Sequence, residues 1–321
     1  MKLIIQIPCF NEENNLPSTF QDLPKKIEGI DTIETLIIDD GSTDRTVDVA
    51  RKVGVDHILM FNRHKGLARA FSAGIEKCLE LGADVIVNTD GDNQYAGRDI
   101  GKLVKPILEG KADVVVGTRP LATTKQFSWF KKMLLRRGSA VIRALSQTAV
   151  EDTVSGFRAF SKDAAMRINI LTEYSYTVEN LIQLGHQKMQ VLSVPIQTNA
   201  QTRKSRLVKS VPHFVGQQFA TLVRVYASYK ALKVFTILGL FFILPGLFGF
   251  LRFLYFYFIR GGQGHVQSLI FSTVFLLVGF LIVLFGILAD LIGTNRKLTE
   301  KALYKIKKLE LENLNRKKND D

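Results

Sequence analysis

Two long apolar segments in the C-terminal third of the chain constrain its fold more than any other feature. Residues 234–251 include 18 positions without a charged side chain, and residues 269–289 include 21. A helix needs about 20 apolar residues to cross the hydrocarbon core of a bilayer, whereas a buried helix of that length ordinarily carries a polar stripe. The sequence therefore predicts two transmembrane helices within residues 234–293.

Basic residues around these segments predict their orientation. Residues 260–266 form a short connector with one arginine, so we expect a tight antiparallel hairpin. Lys230 and Lys233 precede the first segment, and six lysines and arginines follow the second between residues 296 and 308. The positive-inside rule then places both termini in the cytosol. Residues 3–8 are too short for a signal peptide. We expect an integral protein of a bacterial or archaeal cell membrane rather than the endoplasmic reticulum.

The net charge of +13 is divided unevenly along the chain. Residues 1–118 carry 14 basic and 19 acidic side chains, whereas residues 119–321 carry 29 and 11. Such a basic excess suits a membrane surface, a phosphorylated ligand or nucleic acid. No recognition motif accompanies the basic residues, so we expect no nucleic-acid partner. A hydrophobic content of 46% excludes a disordered chain, and two cysteines exclude a disulfide scaffold.

Short apolar runs alternate with helix-like stretches in the N-terminal part. The predicted strands are residues 3–8, 35–39, 57–61, 84–89 and 113–117, with a further strand-like run at 190–198. The predicted helices are residues 12–27, 43–53, 66–82 and 97–109. This alternation predicts an α/β fold with a mostly parallel sheet covered by helices on both faces.

Polar residues follow four of the predicted strands. They are Asn11–Glu13, Asp39–Asp44, Asp90–Gln94 and Arg119. Ligands of parallel sheets bind beyond the carboxyl ends of the strands, so we expect one shared site rather than four separate helix caps. Neither phosphate-binding glycine pattern follows a strand, which argues against P-loop and dinucleotide-binding proteins. Asp90, Asp92 and Gln94 instead suit a hard cation such as Mg²⁺ or Mn²⁺, which would also bind a diphosphate.

Together these segments and Asp152–Arg158 resemble the inverting glycosyltransferases of family 2, which have a GT-A fold. The resemblance covers about residues 1–207 and is strongest to polyprenyl-phosphate glycosyltransferases, such as dolichyl-phosphate mannose synthase and bactoprenol glucosyltransferase. It implies transfer of one sugar from a UDP- or GDP-sugar to a polyprenyl phosphate. The family's processive polysaccharide synthases carry Gln-x-x-Arg-Trp, and the single tryptophan here, Trp129, is far from such a motif.

The resemblance also implies roles for individual residues. The nucleotide-binding residues are Pro8, Glu12 and Asp39 with Asp40 nearby, Lys65 in the turn after the third strand, and Asp90. Asp90, Asp92 and Gln94 handle the metal and the diphosphate. Arg203 and Arg206 belong either to a loop that closes over the diphosphate or to a basic cluster at the membrane surface.

The acceptor side is expected around Asp152, which acts as a base or orients the acceptor. A phosphate oxygen is already ionised near neutral pH, so its transfer needs a cationic clamp more than a base. Arg119 is the first choice for this clamp. The further candidates are Arg136, Arg137, Ser155 and Arg158. Two alternatives stay open, namely a hydroxyl acceptor such as diacylglycerol or a glycan, and a non-catalytic membrane scaffold.

The sequence thus divides into four predicted regions. They are a cytosolic GT-A domain over residues 1–207, a basic juxtamembrane helix over 208–233, two transmembrane helices over 234–293 and a basic cytosolic tail over 294–321. The tail alternates Leu or Ile with Lys or Glu at helical spacing, which predicts a solvated helix. Its pairing with a second copy of the chain remains an alternative.

Overall fold

A computed structural model describes residues 1–119, 143, 146, 148–170, 176–199, 231–261 and 266–320. The chain forms two compact units. One contains Met1–Gln218 together with Leu303–Asp321, and the other contains Phe219–Ala302.

The first unit is built on a seven-stranded sheet. Its strands are β1 (Lys2–Cys9), β2 (Thr32–Asp39), β3 (His57–Met60), β4 (Val85–Asn88), β5 (Val114–Thr118), β6 (Arg158–Ser161) and β7 (Val191–Pro195). They lie in the order β3-β2-β1-β4-β6-β5-β7. The β6 strand runs antiparallel to both neighbours, and the other pairings are parallel. The predicted α/β architecture is therefore confirmed, and β1, β2, β4 and β5 end at one edge of the sheet.

Helices cover both faces of this sheet. They are α1 (Leu16–Gln21), α2 (Thr46–Lys52), α3 (Leu67–Glu80), α4 (Ile100–Leu108), α5 (Lys162–Arg167) and α6 (Tyr176–His186). In α3, Phe71, Ile75 and Cys78 recur at helical spacing and pack with Ile4 of β1. The alternate residue Ile5 belongs to the core of the opposite face. Because both faces are covered, β1 is apolar along almost its whole length.

Several elements differ from the sequence prediction, among them α5 and α6, which no predicted helix covers. The first helix ends at Gln21 rather than near residue 27, because Pro24 disfavours helical geometry in the residue before it. The short strand β6 was not predicted. It begins with the fully buried Arg158, and a charged residue at the start of a four-residue strand gives no apolar pattern.

The second unit contains the two predicted apolar helices. They are α7 (Ala231–Arg260) and α8 (Val266–Asp320), of which α8 continues into the first unit. The most apolar 18 residues of Ala231–Ile259 have a mean hydropathy of 2.4 and those of Val266–Asn313 of 2.8, and both helices are long and apolar enough to cross a membrane. Their leucine, isoleucine and phenylalanine side chains are largely exposed, as lipid-facing side chains would be.

Glycines allow α7 and α8 to approach closely. A Cβ atom added to Gly239 would lie 2.9 Å from the carbonyl oxygen of Gly279, and one added to Gly279 would lie 2.8 Å from that of Gly239. Gly246, Gly249 and Gly286 make similar close contacts with the opposite helix. Small residues at these positions are typical of helix pairs in membranes.

The end of α8 belongs to the first unit and packs against its core instead of being solvated throughout. Tyr304 and Leu311 are partly buried against the core cluster that also contains α3. The hydroxyl of Tyr304 donates a hydrogen bond to Asp163 (2.6 Å), and its ring lies 4.4 Å from the Arg167 guanidinium. The prediction of a solvated tail missed this contact because Tyr304 and Leu311 stand among many charged residues of the tail.

Candidate active site

The loops after β1 and β2 are joined by hydrogen bonds from side chains to the backbone. The N–H of Asn11 donates to Ser42 Oγ (2.9 Å), and the N–H of Thr43 donates to Asn11 Oδ1 (2.8 Å). Asn11 has a φ of 55°, a conformation that asparagine tolerates better than most residues. Glu12 follows it, is buried, and accepts a bond from Asn15 Nδ2 at 2.8 Å. The two loops thus form one rigid wall at the carboxyl edge of the sheet.

Asp39 is the last residue of β2 and has a buried carboxylate oxygen without a partner. Its side chain is only 4% exposed, and its Oδ2 accepts a bond from the N–H of Ser42 (3.2 Å). The other oxygen, Oδ1, has no hydrogen-bond partner among the residues that the structure describes. A buried, unpaired carboxylate oxygen is costly unless a ligand supplies a donor. Asp39 therefore has the properties expected of a ligand-binding acceptor.

The carboxylate of the neighbouring Asp40 is bonded mainly to other residues of the protein. Its carboxylate accepts bonds from the N–H groups of Lys65 (2.7 Å) and Gly66 (2.9 Å), and His64 Nδ1 lies 2.9 Å away. The His64 ring stacks on Phe10 with centroids 4.2 Å apart. Asp40 thus fixes the loop after β3 against the loops after β1 and β2. No role was predicted for His64, since a histidine in a surface loop has no local signal of a partner.

Asp90 and Asp92 follow β4 and are half-buried, as is Gln94. The N–H of Gln94 donates to Asp92 Oδ1 (3.2 Å), which orients that carboxylate. In the described ranges, no three His, Cys, Asp or Glu side chains are grouped into a metal cage. Two carboxylates and an amide nevertheless suit Mg²⁺ or Mn²⁺, which in such sites takes its remaining ligands from substrate phosphates and water.

The thiol of Cys9 is not available as a softer ligand. A Cβ atom on Gly91 would lie 2.9 Å from Cys9 Sγ, so the thiol packs directly behind the loop of Asp90 and Asp92. Burial, with a smaller contribution from Glu12, raises the pKa of Cys9 well above its usual value. The thiol therefore stays protonated, and the donor set of this edge remains an oxygen set.

Arg119 and Asp152 form a buried ion pair beyond the end of β5. Arg119 Nε donates to Asp152 Oδ2 (2.7 Å), and Nη2 donates to Oδ1 (3.1 Å). The two side chains are 15% and 2% exposed. The bidentate guanidinium engages both oxygens of the carboxylate, so a proton acceptor role would compete with both of these bonds. The arrangement fits an orienting role for Asp152 better than proton abstraction.

Comparison with known proteins assigns this site to a family. The model of the family described as "Glycosyl transferase family 2" matches residues 4–168, which contain every strand named above except β7. The chain belongs to this family. It is therefore a glycosyltransferase, and its sheet with the site at the carboxyl edge is a GT-A fold.

Two relatives illustrate the similarity in sequence. The UDP-N-acetylglucosamine–dolichyl-phosphate N-acetylglucosaminyltransferase of Methanococcus voltae is 30% identical over 220 residues, covering 60% of this chain and 83% of the relative. The undecaprenyl-phosphate mannosyltransferase of Micrococcus luteus is 27% identical over 206 residues, covering 61% of this chain and 83% of the relative.

A solved structure illustrates the similarity in fold. Glucosyl-3-phosphoglycerate synthase of Mycobacterium tuberculosis, in complex with Mn²⁺, UDP and phosphoglyceric acid, superposes with a TM-score of 0.53. The alignment covers 71% of this chain and 78% of the synthase at 17% sequence identity, which shows the shared fold alone.

Two residues of this glycosyltransferase that were predicted to bind the acceptor phosphate are buried in the protein. Arg158 is fully buried, and its guanidinium donates to the carbonyl oxygens of Ser155 (2.8 Å), Thr177 (2.9 Å) and Thr153 (3.0 Å). Burial lowers its pKa to about 10, so it remains charged at neutral pH. The side chain of Ser155 is buried as well. We therefore remove both from the residues proposed for the acceptor phosphate.

The loop between Asp152 and Arg158 approaches Asp90 through Gly156. A Cβ atom on Gly156 would lie 3.2 Å from Asp90 Oδ1 and 2.9 Å from Tyr176 Oη. The N–H of Gly156 donates to Tyr95 Oη (3.2 Å), and its carbonyl accepts from Asn88 Nδ2 (2.8 Å). The sequence analysis did not identify Tyr95, Asn88 or Tyr176 as part of the site. Tyr95 follows Gln94 directly, but nothing near Tyr176 in the sequence links it to the site.

The other predicted site residues either have few described contacts or lie outside the described residues. Pro8 lies near the end of β1, and the ammonium group of Lys65 lies 4.4 Å from the ring centre of Phe61. Four arginines proposed for the acceptor phosphate or the diphosphate, Arg136, Arg137, Arg203 and Arg206, lie outside the described residues.

Proposed function

We propose that this glycosyltransferase transfers a single sugar from a nucleoside-diphosphate sugar to the phosphate of a polyprenyl phosphate, either undecaprenyl or dolichyl. The observation that carries this proposal is the Arg119–Asp152 pair, which places a buried cation where the acceptor side is expected and engages both oxygens of the carboxylate. An ionised phosphate needs a cation more than a base, whereas a hydroxyl acceptor needs a base. The two named relatives act on dolichyl and undecaprenyl phosphate.

On the donor side, we propose that Asp39 binds the nucleobase of a uridine nucleotide. Its free Oδ1 offers one acceptor, and Oδ2 is already bonded to Ser42. Uracil presents a single imide N–H, which matches one free acceptor, whereas guanine presents two adjacent N–H donors. Calorimetry should show UDP binding about tenfold more tightly than GDP, the effect of one hydrogen bond lost or gained. Equal affinities would contradict the choice of uridine.

We propose that Asp90, Asp92 and Gln94 hold Mg²⁺ or Mn²⁺ together with the donor diphosphate. When bound, such a cation stabilises the negative charge that develops on the departing diphosphate. Asp92, oriented by the N–H of Gln94, supplies one carboxylate to this edge, and Asp90 supplies the other. Glucosyl-3-phosphoglycerate synthase, which shares the fold, binds Mn²⁺ with UDP.

The proposed reaction is one displacement at the anomeric carbon. A phosphate oxygen of the lipid forms the new bond, and the bond from the anomeric carbon to the diphosphate oxygen breaks with its electron pair staying on the diphosphate. A single displacement from the opposite side inverts the anomeric configuration. Arg119, held by Asp152, orients the attacking phosphate without removing a proton.

The acceptor can be tested with matched lipids. Polyprenyl phosphate, the corresponding free polyprenol and diacylglycerol are offered to the purified protein with labelled UDP-sugars. We expect the label in the organic phase only with polyprenyl phosphate. Transfer to polyprenol or diacylglycerol would favour the second candidate, a hydroxyl acceptor, and would restore the role of Asp152 as a base.

We further propose that α7 and α8 span a membrane of a bacterium or archaeon, with the catalytic domain and both termini in the cytosol. The supporting features are the hydropathy of the two helices and the basic residues on their outer flanks. Both native cysteines are buried, so a Val266→Cys variant, at an exposed position at the start of α8, offers one accessible thiol. Intact cells should be labelled at this position by an impermeant maleimide. Labelling only after lysis would contradict the proposed orientation.

A further inference from the structure

We propose that Tyr176 is a positioning residue for the Asp90 carboxylate, which it confines jointly with Gly156. This inference rests on the proposed function, since it concerns how Asp90 is held for a divalent cation. Tyr176 belongs to α6, which follows the acceptor-side loop and has no motif of its own.

The geometry around Gly156 brings the phenol and the carboxylate together. A Cβ atom on Gly156 would lie 2.9 Å from Tyr176 Oη, 3.2 Å from Asp90 Oδ1 and 3.6 Å from Asp90 Oδ2. Both side chains therefore pack against the same side of this glycine, where any larger residue would displace one of them. The position of Asp90 is consequently limited by the backbone of Gly156 on one side and by the phenol beside it.

Gly156 is itself held at both of its backbone polar groups. Tyr95 Oη accepts a bond from its N–H at 3.2 Å, and Asn88 Nδ2 donates to its carbonyl at 2.8 Å. Asn88 ends β4 two residues before Asp90, and its Oδ1 accepts a bond from Gln6 Nε2 at 2.9 Å. Since every member of this network is buried, the bonds fix Gly156 relative to the end of β4.

Tyr176 has little freedom to move away from this position. Its ring stacks on Phe71 with centroids 3.9 Å apart and an angle of 8° between planes. Its hydroxyl accepts a bond from Asn88 Nδ2 at 3.0 Å and lies 3.5 Å from the Gly156 carbonyl oxygen. A ligand held in place in this way binds a cation without first being ordered.

The test compares nucleotide affinity with and without the metal. UDP binding is measured by calorimetry in Mn²⁺ and in EDTA, and GDP replaces UDP if it binds more tightly. The ratio of the two dissociation constants reports metal binding independently of activity. In Tyr176→Phe, which keeps the stacked ring, we expect this ratio to fall about tenfold, as is typical when a group that orients a metal ligand is removed. Affinity in EDTA should remain that of the wild type.

Tyr304→Phe is the matched control. It also removes a bonded phenol hydroxyl, but its partner Asp163 follows Ser161, which pairs with the first residue of β4, at the opposite edge of the sheet from Asp90. Its ratio should equal that of the wild type. An unchanged ratio in Tyr176→Phe, or an equal fall in both variants, would overturn the inference. If the wild type itself shows no effect of Mn²⁺, the proposed metal site fails and the inference fails with it.

A second variant tests the contact directly. Gly156→Ala adds the methyl group between the phenol and the carboxylate, so we expect it to reduce the same ratio at least as strongly as Tyr176→Phe. In the double variant the methyl group gains the space left by the hydroxyl, and the two effects should be less than additive. Full additivity would show that Gly156 and Tyr176 act separately, and would also overturn the inference.

Discussion

Asp39 and Asp152 are both buried carboxylates at the carboxyl edge of the sheet, but their surroundings differ. Asp39 keeps one oxygen without a partner, whereas both oxygens of Asp152 accept bonds from Arg119. A free buried acceptor is available to a ligand donor, and a paired carboxylate is available mainly to hold its cation. This difference supports placing the nucleobase at Asp39 and the acceptor phosphate beside Arg119.

The variant Asp39→Asn tests whether Asp39 serves nucleotide binding or the stability of the fold. Removal of a buried charge with an unpaired oxygen should leave the ligand-free protein at least as stable as the wild type. Nucleotide affinity should fall by about tenfold or more, because the free acceptor is lost or replaced by a donor. Thermal unfolding and calorimetry measure the two effects. A destabilised variant with unchanged nucleotide affinity would show that Asp39 is a structural residue.

Asp152→Asn should distinguish orientation from base catalysis. An asparagine still accepts a bond from Arg119, so we expect a raised KM for the lipid acceptor and a fall in kcat of about tenfold at most. Loss of a general base typically costs about 10²- to 10⁴-fold. Steady-state kinetics with both substrates varied gives the answer. A fall in kcat of that larger size, with normal donor affinity, would contradict the orienting role.

At this scale the sequence identified residue types at strand ends but not their surroundings. Asp39, Asp90 and Asp92 lie at the edge where the pattern placed them. Arg158 lies near the same edge, opposite Asn88, but its guanidinium is buried against carbonyl oxygens. In a sequence, such an arginine looks the same as one that binds phosphate. Tyr176 and Asn88 were missed because their partners are distant in the chain.

Among the elements, the close contact of α7 and α8 depends on glycine. Gly279→Val would place a side chain where a Cβ atom is already 2.6 Å from Ile243 Cγ1 and 2.8 Å from the Gly239 carbonyl oxygen. We expect this variant to lower the unfolding temperature in detergent by several degrees. Gly101→Ala, at a helical glycine with open space around it, should be neutral or stabilising. Equal effects of the two substitutions would contradict a packed hairpin.

The end of α8 should contribute to the stability of the first unit through Tyr304. Tyr304→Phe removes the bond to Asp163 and should lower the free energy of unfolding by about 1 kcal/mol near neutral pH, measured by thermal or denaturant unfolding. Burial opposes ionisation of Asp163, but the bonds from Arg167 and Tyr304 outweigh it and lower its pKa. The contribution is therefore present at neutral pH and lost as the pH falls through that lowered pKa. A loss that is independent of pH would contradict this assignment.

The regular elements were predictable where the apolar pattern was strong. The buried strands β1, β2, β4 and β5 and the amphipathic helices α3 and α4 lie within two or three residues of their predicted bounds. Antiparallel β6 was missed, since a strand of four residues that begins with arginine shows no alternation of apolar and polar residues. The packing of Tyr304 and Leu311 depends on a distant surface that no local pattern describes.

For the whole molecule, the net charge of +13 combines two different regions. Residues 1–118, with more acidic than basic side chains, contain the carboxylates proposed for the metal and nucleotide. The basic excess lies in residues 119–321, which contain the flanks of the apolar helices and the candidate arginines for phosphate. A lipid-linked acceptor gives both regions a function, because the sugar donor is soluble and the acceptor stays in the membrane.

The central proposal is metal-dependent transfer to a lipid phosphate at Asp90 and Asp92, and one measurement tests it most directly. Purified protein is given labelled nucleotide-sugar, polyprenyl phosphate and Mg²⁺ or Mn²⁺, and the label is counted after organic extraction. We predict label in the organic phase with the wild type and a loss of about 100-fold or more with chelator or with Asp92→Asn. Transfer by Asp92→Asn in chelator at the wild-type rate would contradict the proposal.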